Sequence, residues 1–340
     1  MKSKLKFFVI LLAVTMLIRC NKDDSNKPIR INDQSFLDVL IRSGYDTDSD
    51  GNISLAEARA VKSMNINGAN ISDLSGIESF SNLEELNCGS NTFPELNLTG
   101  NHALKILIIV GGNLTKLNIS GATSLTTLDC DGNDLTTMDL SKNTLLDSLY
   151  CGNNRIERLS FVNNLVLRKV FCASNNLSYI DVSKNTALTY LDCSNNKLNS
   201  LDISNNISLT YLECSQNILG TYAGIDVSKN TSLKYLNCGY NGLLNLDVTK
   251  NVALESLACS SNHINSLNLT NNNALSTFLC GQNGLTDLNI SKNTSLKTLF
   301  INDMSSLSKV CVWILPFPPT DLTLDRTNSL NAYFSTDCSK

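Results

Sequence analysis

Residues 188–208 read Leu188-Thr189-Tyr190-Leu191-Asp192-Cys193-Ser194-Asn195-Asn196-Lys197-Leu198-Asn199-Ser200-Leu201-Asp202-Ile203-Ser204-Asn205-Asn206-Ile207-Ser208. The frame L-x-x-L-x-C-x-x-N-x-L-x-x-L-D-V-S-x-N-x-x recurs along the chain with a period of 21 residues. Copies begin at Leu83, Leu104, Leu125, Leu146, Leu167, Leu188, Leu209, Leu233, Leu254 and Leu275, the one at Leu209 holding three extra residues around Tyr222. A degenerate turn, 61–82, precedes these ten copies, which fill 83–295, and another begins at Leu296, within a segment over 296–340 expected to serve as the C-terminal cap.

About six apolar places per unit face inward, more than one turn can bury, so units must stack and close one another's core. Strands around the third to seventh places then pair in parallel at about 4.8 Å per turn. The expected architecture is a mainly β, α/β-class repeat solenoid, whose two raw ends need covers.

This pattern resembles the leucine-rich repeat, and most closely the 21-residue bacterial class in which cysteine replaces a leucine, as in internalin-like adhesins. The resemblance covers about 250 of the 340 residues. It implies a binding scaffold and names no receptor, because such a fold fixes a shape and leaves chemistry to its variable residues.

Nine cysteines share the sixth place: Cys88, Cys130, Cys151, Cys172, Cys193, Cys214, Cys238, Cys259 and Cys280. None has a C-x-x-C spacing or a histidine beside it, so the expectation is packing as reduced thiols rather than zinc or nucleophilic chemistry. The asparagines of the ninth place, Asn91 and Asn133 to Asn283, form a second ladder that should satisfy backbone groups at the turns. Cys311 and Cys338 stand outside the ladder in a Pro-rich tail, and an exported chain is expected to cross-link them.

Ahead of the repeats, Asp46-Thr47-Asp48-Ser49-Asp50-Gly51-Asn52-Ile53-Ser54-Leu55-Ala56-Glu57 fits the EF-hand template. Asp46, Asp48, Asp50, Asn52, Ser54 and Glu57 are the candidate calcium ligands, and Gly51 permits the sharp turn. Four crowded carboxylates repel until a hard dication joins them. There is one loop where sensor proteins pair two, so Ca2+ is expected to act as a permanent staple of a helical cap over 31–60, not as a signal.

Lys2, Lys4 and Lys6 precede a short apolar run, Phe7 to Ile18, with the build of a secretory signal over 1–19. Leu17-Ile18-Arg19-Cys20 resembles a bacterial lipoprotein signal, with Cys20 acylated; Arg19 departs from the small residue that pattern has. Asn21-Lys22-Asp23-Asp24 looks like the signal that exports lipoproteins of Bacteroidetes-type bacteria to the outer face of the outer membrane. The expectation is a surface lipoprotein on a tether over 20–30, secretion being the alternative. Formal charge is −4, and −8 without Lys2, Lys4, Lys6 and Arg19, which argues against a phosphate backbone as partner.

Tyr190, Tyr211 and Tyr235 occupy the outward third place on consecutive turns, and Tyr150 and Phe171 the outward fifth. They suggest a flat stacking surface for sugar rings or peptides. The unit at Leu104 has Ile109 and Gly112 at its ladder places and projects Ile106, Ile108 and Val110 outward, as a contact surface or as an edge beneath the cap. Asp192 and Glu213 on adjacent turns could be the pair of a retaining glycosidase, although an open face excludes no water. The expected function is therefore non-enzymatic adhesion by a monomer that holds a protein or glycan ligand. The alternatives are a glycan-processing enzyme and a passive envelope spacer.

Overall fold

The computed structural model describes residues 24–221 and 224–339. Cys20 and the expected signal over 1–19 lie outside these residues. The repeats wind into a parallel solenoid whose principal sheet has 13 strands of three residues each, from Ser63–Asn65 to Thr323–Asp325. Strands stay in strict register: Tyr190, Tyr211 and Tyr235 are Cα partners, as are Leu191, Leu212 and Leu236. Alternation along each strand drives the fourth-place leucine inward and the third and fifth residues out, as the intermediate-buried-intermediate pattern of Tyr190–Asp192 shows.

Among the described residues the repeats contain no α-helix, so the helical part of the fold is small. Helix α1 (Gln34–Arg42) and the short helix α2 (Leu55–Ala60) belong to the N-terminal cap. Phe36 and Leu40 of α1 are fully buried, and the Phe36 ring lies 6.4 Å from that of Phe80. Asp33 holds this cap to the first turn: its carboxylate accepts from the Phe36 amide at 3.0 Å, and from the amide and hydroxyl of Ser72 at 2.8 and 2.7 Å.

All nine ladder cysteines are buried and free. Burial raises their thiol pKa values, that of Cys238 to about 12, so they stay protonated and inert. The ninth-place asparagines each clip two turns together. Asn175 Nδ2 donates to the carbonyls of Cys151 (2.9 Å) and Cys172 (3.1 Å), while its Oδ1 accepts from the Ile156 amide at 2.9 Å. To aim the amide inward the preceding residue turns left-handed, as Ser174 (φ 55°) and Asn195 (φ 49°) do, a conformation that costs a non-glycine residue about 1–3 kcal/mol.

The asparagine at the nineteenth place of the frame forms a second asparagine ladder, whose bonds the structure shows. Asn185 is 1% exposed, and its Nδ2 donates to the carbonyls of Phe161 (3.2 Å) and Asn164 (2.8 Å). Its Oδ1, like those of eight equivalents from Asn101 to Asn293, is buried without a hydrogen-bond partner.

Two boundaries move. The tether expected over 20–30 is docked where it is described, because the Ile29 amide donates to the Ile53 carbonyl (2.8 Å) and the Leu55 amide to the Lys27 carbonyl (3.0 Å). This short segment closes the exposed edge of the 46–57 loop. At the other end, Thr298–Phe300 and Thr323–Asp325 continue the principal sheet, so 296–340 is not a cap alone. The cover is the loop carrying Trp313 and Phe317, whose rings meet edge to face at 5.4 Å, with Phe317 packing on Phe334 at 4.7 Å. The disulfide Cys311–Cys338, Cα atoms 5.5 Å apart, ties this tail down.

Candidate ligand-binding face

Five aromatic side chains on the open strand face form one continuous stack. Centroids are 4.4 Å apart for Tyr150–Phe171, 4.2 Å for Phe171–Tyr190, 4.0 Å for Tyr190–Tyr211 and 4.1 Å for Tyr211–Tyr235. The first two rings stand at the fifth place and the rest at the third, so Phe171 leans across its strand pair to reach Tyr190. Parallel strands about 4.8 Å apart hold such rings at stacking distance when they stand upright on the sheet.

The stack corrects the flat platform expected from the sequence. Ring faces are occupied by one another, the last three within 6° of parallel, and the surface on offer is a spine of ring edges and hydroxyls. An aromatic edge is electropositive and suits acceptor groups such as backbone carbonyls. Burial, with the neighbouring Tyr211 hydroxyl, lifts the Tyr190 pKa; burial, with the Glu213 charge, lifts that of Tyr235. Both hydroxyls therefore remain protonated.

The Asp192–Glu213 pair is committed elsewhere. Glu213 is 9% exposed and accepts from the Asn237 side chain (2.8 Å), the Tyr235 hydroxyl (3.1 Å) and the Ser215 amide (3.1 Å). Asp192 accepts from the Ser194 hydroxyl at 2.7 Å and its amide at 3.1 Å. The Glu213 bonds brace Tyr235 of the spine, and the Asp192 bonds close a local turn on Ser194.

Ile106 and Ile108 lie on a strand paired on both sides, with Glu85–Asn87 and Thr127–Asp129, so the cap does not cover them. Half-exposed, they form a small apolar patch with Val110. The strand Thr127–Asp129 separates it from Tyr150. Asp129 and Asp131 line this gap, and burial raises the pKa of both.

In the 46–57 loop, one carboxylate oxygen each from Asp46, Asp48 and Asp50 falls within 4.8 Å of the others. The loop is wrapped by Asp46, whose oxygens accept from the amides of Asp50 (3.1 Å) and Gly51 (3.0 Å), and by left-handed Ser49 and Gly51. The Asp50 amide lowers the Asp48 pKa, but desolvation and the charges of Asp50, Glu57 and Asp46 outweigh it and the net shift is upward. A cluster of hard oxygens under mutual repulsion is the donor set that calcium selects. Glu57 and Ser54 sit outside this triad: they form a capping box on α2, and Glu57 also accepts from the amide (2.6 Å) and hydroxyl (2.7 Å) of Thr47. Asn52 donates its amide to Asp50 at 2.8 Å, which leaves its carbonyl free of that bond.

Neither a protein-family model nor a curated protein sequence matches the chain. Among solved structures it is similar to the functional domain of InlJ from Listeria monocytogenes, which includes a cysteine ladder. Identity is 28%, coverage 77% of this chain and 70% of that one, and the TM-score 0.53. It also resembles the internalin InlF from Listeria monocytogenes at 18% identity, covering 91% and 96% of the two chains with a TM-score of 0.61. The LRIM1/APL1C complex aligns at 21% identity over 82% of this chain and 52% of that chain, TM-score 0.60. The fold is the leucine-rich repeat solenoid, and its neighbours include internalin-like proteins, the InlJ domain with a cysteine ladder among them.

Proposed function

We propose that the protein is a non-enzymatic surface binding module that captures a protein partner on its open strand face. The observation that carries this reading is the five-ring spine. The solenoid closes its core with the inward leucines and cysteines, and nothing in that closure requires Tyr150, Phe171, Tyr190, Tyr211 and Tyr235 to share one line. Amphipathic aromatics on a rigid scaffold are the residues that dominate protein interfaces. A neighbour with this fold was solved as a complex of two proteins, LRIM1 with APL1C. A formal charge of −4 favours a protein partner over nucleic acid.

In this reading Asp46, Asp48, Asp50 and the Asn52 carbonyl hold Ca2+, with Ser54 contributing through water and Glu57 turning toward the ion. Calcium would neutralise the loop and stiffen the cap. Acylation of Cys20 would anchor the chain to the outer membrane, with Lys22, Asp23 and Asp24 directing it to the cell surface. Because Lys27 and Ile29 are already docked on the cap, the solenoid would sit close to the lipid instead of at the end of a long leash.

The test is an array of extracellular proteins and glycans probed with the purified protein. A protein ligand whose capture is lost in the triple variant Tyr190→Ala, Tyr211→Ala, Tyr235→Ala supports the reading. Capture by that variant at the level of the original protein refutes it.

A further inference from the structure

Away from the strand face, the thirteenth to seventeenth places of the units build a different surface. Here two adjoining grooves, of about 680 and 440 Å³, meet at Tyr179. Tyr179 is 60% exposed, and among the described residues its ring stacks on no other ring, so it is accessible to a ligand. This is the reverse of the spine, whose rings are consumed by one another.

The repeat is broken at both ends of this double groove. In the unit at Leu146, Ser160 and Val162 replace the Asp or Asn and the Ser or Thr that the other units have at the fifteenth and seventeenth places. The bounding turn at the other end is the unit at Leu209, with its three extra residues, and Gly224 and Asp226 line the wall there. Between them two regular turns present Asp181 and Asp202. Amides two residues on fix these carboxylates and Asp226: Ser183 and Ser204 at 2.9 Å, Ser228 at 2.8 Å. Fixed acceptors therefore recur once per turn beside an open ring, with the serines Ser200 and Ser204 between them.

We propose that this groove is a second binding site and that it takes a neutral oligosaccharide. An open tyrosine face accepts the C–H face of a pyranose, and oriented carboxylates are strong acceptors for sugar hydroxyls. A sugar chain lying along the solenoid axis meets one carboxylate per turn, about 4.8 Å apart. The lining sets Glu157, Asp181, Asp202 and Asp226 against Arg158 and Lys184, and this acidic excess disfavours uronic acids and sulfated sugars and sets the ligand class as neutral. Pockets of this kind combine an apolar floor with a few placed polar groups, and Leu159, Phe161, Ile180 and Leu201 supply that floor. The site shares no residue with the spine, so either can fail without the other.

Affinity electrophoresis of the purified protein through gels holding mannan, xyloglucan or β-1,3-glucan, with polygalacturonate for comparison, tests it. At least one neutral polysaccharide should retard the protein. Tyr179→Ala should lose at least 10-fold in affinity and Asp202→Asn a smaller factor, while Tyr240→Ala, an exposed tyrosine outside the groove, should match the original. Unchanged circular dichroism spectra would exclude misfolding. Retardation by no neutral polysaccharide, preference for polygalacturonate, or full retardation of Tyr179→Ala overturns the proposal.

Discussion

The rings of Tyr211 and Tyr235 lie 4.1 Å apart and within 2° of parallel, although the chain between them is three residues longer than between Tyr190 and Tyr211. The insertion is absorbed after Leu219, where the chain makes the 3₁₀ turn Leu219–Thr221, and the strand register is untouched. Tyr211 is therefore gripped on both faces. Tyr211→Ala removes two stacked pairs, each worth about 0.5–1.5 kcal/mol beyond area burial, and should cost about 1–3 kcal/mol in urea unfolding. Ser256→Ala, on the same lane beyond the stack, should stay within about 0.5 kcal/mol.

Asn175 joins two turns through three buried hydrogen bonds. Asn175→Ala strands the Ile156 amide and weakens the satisfaction of two carbonyls, so it should cost about 3 kcal/mol in chemical denaturation. Asn175→Asp should be worse, because it keeps the acceptor, deletes the donor and buries a charge against the Cys151 and Cys172 carbonyls. A neutral outcome for either would show that the ladder does not clip the coils.

Asp33 ties α1 to the first turn through bonds that favour its ionised form. Burial works against the charge, but the hydroxyl and amide of Ser72 and the amides of Phe36 and Asp73 hold its pKa below the ordinary 3.8. A depressed folded pKa means that the linkage stabilises the cap fully above the ordinary value and is lost as pH falls through the folded one. Hydrogen exchange of residues 34–42 should therefore accelerate below about pH 4. Asp33→Asn should show that fast exchange already at pH 7 and no further acid-linked change from this site.

Calcium binding to the 46–57 loop should raise the melting temperature, and chelation should lower it. With an affinity near the 10⁻⁴ M of extracellular modules, 10 mM calcium adds about 2.7 kcal/mol. Asp46→Ala should make the melt indifferent to calcium and chelator alike. An original protein that melts identically with and without calcium would remove the metal from the account.

The period made the solenoid readable, since one 21-residue leucine frame repeated over so many copies has few other solutions. The ladders of Cys193 and Asn196 followed from the same frame. The spine did not, because Phe171 and Tyr190 hold different places in their units, and only coordinates show one ring leaning onto the other. The docking of Ile29 on Ile53 was hidden for a different reason: the pairing reaches across α1 and into the 46–57 loop, while local composition at 20–30 reads as linker. Asn185 and its equivalents were visible in the frame, and their regular recurrence was the signal to follow. Tyr179 carried no pattern; it gains meaning from the irregular turns on either side, at Ser160 and Gly224.

Titration of a protein ligand against the original protein and against the single variants Tyr190→Ala, Tyr211→Ala and Tyr235→Ala tests the account most directly. A spine that acts as an interface hot spot predicts losses of about 30-fold or more for Tyr211→Ala, at a temperature where every variant is folded. Equal affinities across the four proteins would contradict it and leave the stacked rings as a purely structural seam.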